Sequence, residues 1–216
     1  LLFTRDVTDL RRRERALVSK DATIREIHHR VKNNLQTVAA MLRLQARRAS
    51  TEEAREALAE AELRVAAIAV VHESLSADTG EAVDFDEIVD RILALIRDLA
   101  PAYATPGSVP DLAREGSWGS LPADLATPLA MAVSELLHNA VEHASATQVT
   151  VRLRRADDGD LHLTVHDNGV GLPDDFSLDN AGLGLSIVTS LVTGDLLGHC
   201  EFLEGPGTTV AVTVPG

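Results

Sequence analysis

Between residues 21 and 76 the apolar side chains recur in steps of three and four, and that spacing leaves few folds open. Ile24, Ile27, Val31, Leu35, Val38 and Leu42 form one stripe. On a wheel of ~100° per residue they cluster within roughly 80° of arc. Leu58, Ala61, Val65, Ile68, His72 and Leu75 form a second, heptad-like stripe. Between them, Ser50-Thr51-Glu52-Glu53 offers a break, a cap and acids for the next first turn. The spacing predicts helices over about Asp21–Ala49 and Glu52–Ser76, folded back on each other as an antiparallel hairpin. A hairpin with one stripe per helix is thin. Pairing with a second copy into a four-helix bundle would bury the stripes better, so a homodimer is expected. His72 falls in the seam and is expected to be a hydrogen-bonded core histidine.

Inside the first helix stand His28 and His29, in the run Glu26-Ile27-His28-His29-Arg30-Val31-Lys32-Asn33-Asn34-Leu35-Gln36. His28 lies at the edge of the stripe, whereas His29 lies about 145° from its centre, on the opposite face. One imidazole should flank the seam and the other should face water. Adjacent residues do not share a helix face, so the pair makes a poor metal site.

Aromatics are only 3% of the chain, so the core must be aliphatic. The net charge of −13 disfavours nucleic acid and anionic membrane as partners. No apolar run approaches the ~20 residues of a membrane span. The single Cys200 rules out an intrachain disulfide and fits a reducing cytoplasm. The chain starts at Leu1 without Met, which suggests a piece of something longer. Leu1–Val7 reads as a short strand, and polar Asp9–Lys20 as a solvated helix or a connector from an upstream domain.

A turn at Asp78-Thr79-Gly80 marks the expected domain boundary. Phe85, Ile88, Val89, Ile92, Leu93 and Ile96 then give an amphipathic helix. Pro101–Pro110 is loop-rich, and a strand is placed between Val109 and Glu115. Leu125, Leu129, Val133, Leu136 and Ala140 mark a helix over about Ala123–Ala144, with Pro128 expected in its first turn and Thr127 as its cap. Alternation at Val149/Val151/Leu153 and Leu161/Leu163/Val165 around Asp157-Asp158-Gly159 predicts a hairpin. A helix over about Leu183–Val192 and a hairpin of His199–Glu204 with Thr208–Val214 complete the chain. The class is α+β: a helical hairpin, then helices on one face of a mostly antiparallel sheet.

This later part carries residues suited to one chemistry. Glu135, Asn139 and His143 share a helix face opposite the apolar stripe, so they should look into a cleft. The neutral oxygen of Asn139 suits a hydrated or phosphate-bound Mg²⁺, and Glu135 can act as a base. Asp167-Asn168-Gly169-Val170-Gly171 ends a strand, where a carboxylate can accept from the exocyclic amine of adenine. Gly182-Leu183-Gly184 precedes a helix, whose free N–H groups and dipole suit phosphate. Gly207-Thr208 opens the last strand, where a hydroxyl could reach the base. Each feature alone is weak. Their order is far more specific.

That order resembles the Bergerat-type ATP-binding fold of histidine kinases and related ATPases. Glu135-Leu136-Leu137-His138-Asn139-Ala140 is similar to the N box, Asp167–Gly171 to the first glycine box and Gly182–Gly184 to the second. The upstream His28–Gln36 run resembles the phosphoacceptor helix of the HWE-like sensor histidine kinases, and the first residues resemble the end of a PAS sensor domain. The resemblance implies residues 1–20 as sensor end and signalling helix, 21–78 as dimerisation and phosphotransfer hairpin, and 79–216 as the ATP-binding domain. It implies Mg·ATP as cofactor, with Asp167 on adenine, Asn139 on Mg²⁺, and Gly182, Leu183 and Gly184 at the phosphates under a short lid ending at Gly182. Gly169, Gly171, His143 and Thr208 complete the site. His29 is the implied phosphoacceptor, with Glu26 or Glu135 as base. The partner is a response regulator receiver domain. A non-catalytic scaffold with a degenerate nucleotide fold and an anti-sigma-like serine kinase are the other readings; the latter lacks a place for the His-bearing hairpin.

Overall fold

The computed structural model describes residues 8–77, 82–100, 109–173, 176, 182–203 and 205–216, and within the first helix it describes side chains at 23, 24 and from 26 onward. The strand expected at Leu1–Val7, the turn at Asp78-Thr79-Gly80, most of the Pro101–Pro110 loop and the middle of the lid lie outside these residues.

The first helix, α1, runs Thr8–Ala46, so the polar connector and the histidine helix are one element rather than two meeting at Asp21. No proline or glycine interrupts that span. After a turn, α2 spans Glu52–Ala77, with Thr51 Oγ1 accepting from Ala54 N at 3.3 Å. The two pack along their length as the expected hairpin. Ion pairs tie them at both ends: Lys32 to Glu73 at 2.6 Å and Arg43 to Glu62 at 2.5 Å.

The stripes are buried differently from expectation. On α2 the buried apolar positions are Leu63, Ala67, Ala69, Val71 and Leu75, whereas Leu58, Ala61, Val65 and Ile68 are only half-buried. The reason is that α2 has a second partner. Leu63, Val71 and Leu75 belong to the core of the following domain, packed with Phe85, Ile88 and Leu129. On α1, Ile24, Val31, Leu35 and Leu42 are half-buried, while Ile27, Val38, Met41 and Leu44 stand exposed.

Beyond the hairpin come β1 (Ala82–Asp84), α3 (Phe85–Leu99), β2 (Asp111–Ser117), β3 (Ser120–Pro122), α4 (Ala123–His143), β4 (Gln148–Arg155), β5 (Leu161–Asp167), α5 (Leu183–Ser190), β6 (His199–Leu203) and β7 (Thr209–Val214). Asp84 caps α3 by accepting from the amides of Asp86 and Glu87. The small β1–β3 pair was not expected. The main sheet runs β2-β4-β5-β7-β6, antiparallel except for the parallel β2–β4 pair. Alternate residues of β5 and β7 are buried beneath the helices, and the outward set is half-buried. There, His162 and His166 bond across to Thr213 and Thr209 at 3.1 and 2.8 Å.

Two local expectations change. Pro128 lies inside α4 rather than in its first turn, because the helix already starts at Ala123. Thr127 therefore is not a cap; its hydroxyl donates back to Ala123 O at 3.2 Å. The helix expected through Val192 ends at Ser190 and continues as a π turn, Leu191–Asp195.

Candidate functional site

A cavity of about 460 Å³ opens between α4, the end of β5, the N-terminus of α5 and the start of β7. That size suits a small organic ligand. Asn139, His143, Asp167, Gly171, Gly182, Leu183, Gly184 and Thr208 all line it. Most of the residues singled out by the motifs are thus gathered at one place from four separate stretches.

Asp167 is 4% exposed. Its Oδ1 accepts from the amides of Gly169 and Thr208, at 2.9 and 3.2 Å, which leaves Oδ2 for a ligand donor. The turn beyond it is fixed by Asn168, whose Oδ1 accepts from the amides of Thr147 and Gln148. Gly169 does not line the cavity. A Cβ there would stand 2.0 Å from Ala144 O, so its role is close packing of this turn on the end of α4. At the other end, Gly182 caps α5 with no side-chain bond, which leaves the first amides of the helix free. Phe176, from the lid, packs on Phe202 with ring centroids 5.0 Å apart, and both line the cavity.

The buried Nδ2 of Asn139 has no hydrogen-bond partner among the described residues. Its Oδ1 lies 3.6 Å from where a Cβ on Gly184 would be. The unheld Nδ2 is a donor and suits a phosphate oxygen, while the neighbouring Oδ1 is the atom that suits Mg²⁺.

Glu135 departs from expectation. It is 2% exposed and does not look into the cleft. Arg64, on α2, grips it with both arms of the guanidinium: Nε to Oε1 at 2.6 Å and Nη2 to Oε2 at 3.0 Å. Arg64 also holds Glu60 at 2.8 Å, and Glu60 lines the cavity. The carboxylate of Glu135 still borders the cradle from behind, since its Oε2 lies 2.8 Å from a Cβ position on Gly184. Sequence reasoning missed Glu60 and Arg64. Nothing local marks them, and Arg64 stands 71 residues from its partner. At the same joint His138 Nε2 lies 3.1 Å from Glu142 Oε2, and this contact, ahead of the desolvation that opposes it, holds Glu142 below the usual carboxylate range. Glu60, His138 and Glu142 bring ligand atoms within 4.8 Å of one another, although Arg64 already engages Glu60.

On the hairpin, His28 is half-buried, and its Nδ1 lies 3.0 Å from Nδ1 of His72. In this contact one ring nitrogen donates and the other accepts. Burial first, and the nearby His28 second, push His72 below its ordinary value. His29 is exposed, as the wheel requires. Glu26 is exposed and paired with Arg30 at 2.7 Å; that hydrogen bond and the Arg30 charge lower its pKa.

A family profile described as "Histidine kinase" matches residues 26–100. A second, described as "Histidine kinase-, DNA gyrase B-, and HSP90-like ATPase", matches residues 124–216. Over 99% of its length the chain is 52% identical to a sensor histidine kinase PdtaS of Mycolicibacterium smegmatis, of which it covers 44%. It is 49% identical to the PdtaS of Mycobacterium tuberculosis strain H37Rv, covering 43% of that protein. The chain therefore spans less than half the length of these curated relatives. Among solved structures, the histidine kinase domain of the Erythrobacter litoralis EL346 blue-light activated histidine kinase superposes with a TM-score of 0.64 at 25% identity, over 93% of this chain and 94% of that one.

Proposed function

From the chain's membership of the histidine kinases, we propose that it is the kinase core of a two-component sensor, which phosphorylates itself on His29 and passes the phosphoryl group to an aspartate of a response regulator receiver domain. ATP occupies the cavity of α4 and α5. Asp167 Oδ2 accepts from the adenine amine, Thr208 reaches the same edge of the base, and His143 lies at the mouth. The free amides at Gly182, Leu183 and Gly184 hold phosphate oxygens. Asn139 would hold Mg²⁺, which would neutralise charge on the phosphates.

His29 attacks the γ-phosphorus through an imidazole nitrogen; the new N–P bond forms as the bond to ADP breaks, and the ring proton passes to a base. Glu26 and Glu135 are the carboxylates proposed for that proton. Each now sits in an ion pair, with Arg30 and Arg64, so either must part from its partner to take it.

The exposed Ile27, Val38, Met41 and Leu44 on α1 support a homodimer, in which a second hairpin covers them. The division into a phosphotransfer hairpin and an ATP-binding domain, with a PAS sensor upstream, belongs to the same reading, as does a cytoplasmic location. No described helix is long and apolar enough to cross a membrane.

One observation carries the proposal. A cavity built from Asp167, Asn139 and the Gly182–Gly184 cradle occurs in one chain with an exposed His29 whose neighbour His28 is held in the seam. The test is autophosphorylation with γ-labelled ATP on the parent, His28→Gln and His29→Gln. Label lost only in His29→Gln is the expected result. Label lost only in His28→Gln would keep the enzyme and move the acceptor. A parent dimer that forms no acid-labile phosphohistidine would overturn the reading.

A further inference from the structure

The nucleotide cavity is lined by the later domain, yet the charge balance at its phosphate end depends on the hairpin. Glu135 is almost wholly buried, and its carboxylate stands directly behind Gly184. An uncompensated carboxylate in that place would repel the phosphates of any nucleotide held by the cradle, and the repulsion is strong where water is excluded. The groups around it are Arg64 and Glu60 on α2, and His138 and Glu142 further along α4; α5 contributes no charged side chain. Of these, Arg64 holds Glu135 directly, at 2.6 and 3.0 Å. It does so through a two-pronged contact that fixes both the charge and the direction of the carboxylate.

We infer that Arg64 is a positioning residue of the nucleotide site: a hairpin side chain that neutralises and orients Glu135, so that the phosphate cradle at Gly184 accepts an anion. The inference rests on the nucleotide reading of the cavity and adds a residue from outside the ATP-binding domain to it. A consequence follows from linkage. If docking of α4 on α2 through Arg64 favours nucleotide, then nucleotide favours that docking by the same factor. Lysine cannot substitute fully, because a point charge lacks the planar fork.

The test measures Mg·ADP and adenosine affinity by calorimetry on the full chain, for the parent, Arg64→Gln, Arg64→Lys, Glu135→Gln and the Arg64→Gln/Glu135→Gln pair. Arg64→Gln should weaken ADP by on the order of tenfold and leave adenosine unchanged, because adenosine has no phosphate to repel. Arg64→Lys should fall between. Glu135→Gln should bind ADP more tightly than the parent, since the cation is then unopposed. The double variant leaves no buried unpaired carboxylate, so it stays measurable even where Arg64→Gln unfolds, and it should recover most of the ADP affinity. Equal losses for ADP and adenosine, a double variant as weak as Arg64→Gln, or an Arg64→Gln that binds ADP like the parent would each overturn the inference. A parent that binds neither ligand refutes the nucleotide reading itself, and the inference with it.

Discussion

Gly207→Ala should be among the most damaging single-methyl changes in the ATP-binding domain, and two other glycines show why. Gly207 has φ +72°, and a Cβ there would stand 1.9 Å from Asp167 O. That is about 1.5 Å short of ordinary van der Waals contact, and the atom met is backbone, which cannot swing aside. Gly119 has φ +68° but nothing within 4 Å of a Cβ, and Gly205 has neither positive φ nor a close neighbour. The three separate conformational strain from steric clash. Placing alanine in the left-handed region costs about 1–2 kcal/mol. Gly119→Ala should pay only that. Gly205→Ala should lie within about 0.5 kcal/mol of the parent. In Gly207→Ala the β5–β7 crossing must also open. This loosens the Asp167 N–H bond to Thr208 O (3.0 Å) and the Thr208 N–H bond to Asp167 Oδ1 (3.2 Å), at about 1 kcal/mol each. The expected total is about 3–4 kcal/mol, read from urea denaturation midpoints at constant slope. ADP affinity should fall as well, because the displaced atoms carry Asp167. A Gly207→Ala protein no less stable than Gly119→Ala would refute the clash argument.

Three further outcomes are expected. Because His72 is pushed below its ordinary 6.5, the unfolded chain binds more protons than the folded one just under that pH; stability is full above pH 6.5 and falls as pH drops from there to the folded value. Denaturation midpoints should show this loss, and His72→Gln should remove the slope. Burial first, and Glu201 second, raise the Cys200 thiol to about 11, so alkylation by iodoacetamide at pH 8 should run roughly a hundredfold slower in the folded chain than in urea. A rate equal to that of the unfolded chain would contradict the half-buried setting of Cys200. Met41→Asp, at an exposed apolar position on α1, should turn a parent dimer into monomers by light scattering, whereas a dimer that persists would place the interface elsewhere.

What the sequence revealed follows the range of the forces involved. The hairpin, the Leu161–Asp167 strand and its partner were legible because periods of 3.6 and 2 are local signals, written within a dozen residues. The turn after β5 was legible because a glycine that must let another backbone pass marks the sequence, as at Gly169 and Gly207. The second buried edge of α2 was hidden. Leu63, Ala67, Val71 and Leu75 recur every fourth residue, and the alanine blurs the stripe, while Leu58, Val65 and Ile68 announce the weaker-buried face more loudly. The β1 and β3 strands are three residues each, too short for alternation to show. Arg64 had no local signature because its meaning depends on a partner on another helix. Glu135 was assigned to the cleft from its own helix face alone, and a wheel cannot tell which neighbour covers a face.

The contacts along α2 also fix a register between the acceptor and the cradle. His72 meets His28, one residue before His29, whereas Arg64 meets Glu135 behind Gly184. Eight residues separate His72 from Arg64 on α2, a rise of about 12 Å in a helix of 1.5 Å per residue. In-line transfer needs reacting atoms about 3–3.5 Å apart. If His29 is the acceptor, as proposed, and is served within one protomer, the joint between α2 and α4 holds the proposed phosphate end about two turns away along α2. Arg64, Leu63 and Val71 lie on the face of α2 that meets the later domain, and the half-buried Val65 and Ile68 lie beside it. On that reading, bringing the site to His29 requires Arg64 to release Glu135, to which it is bonded at 2.6 Å. Transfer geometry and nucleotide affinity would then be set against each other at the Arg64 guanidinium.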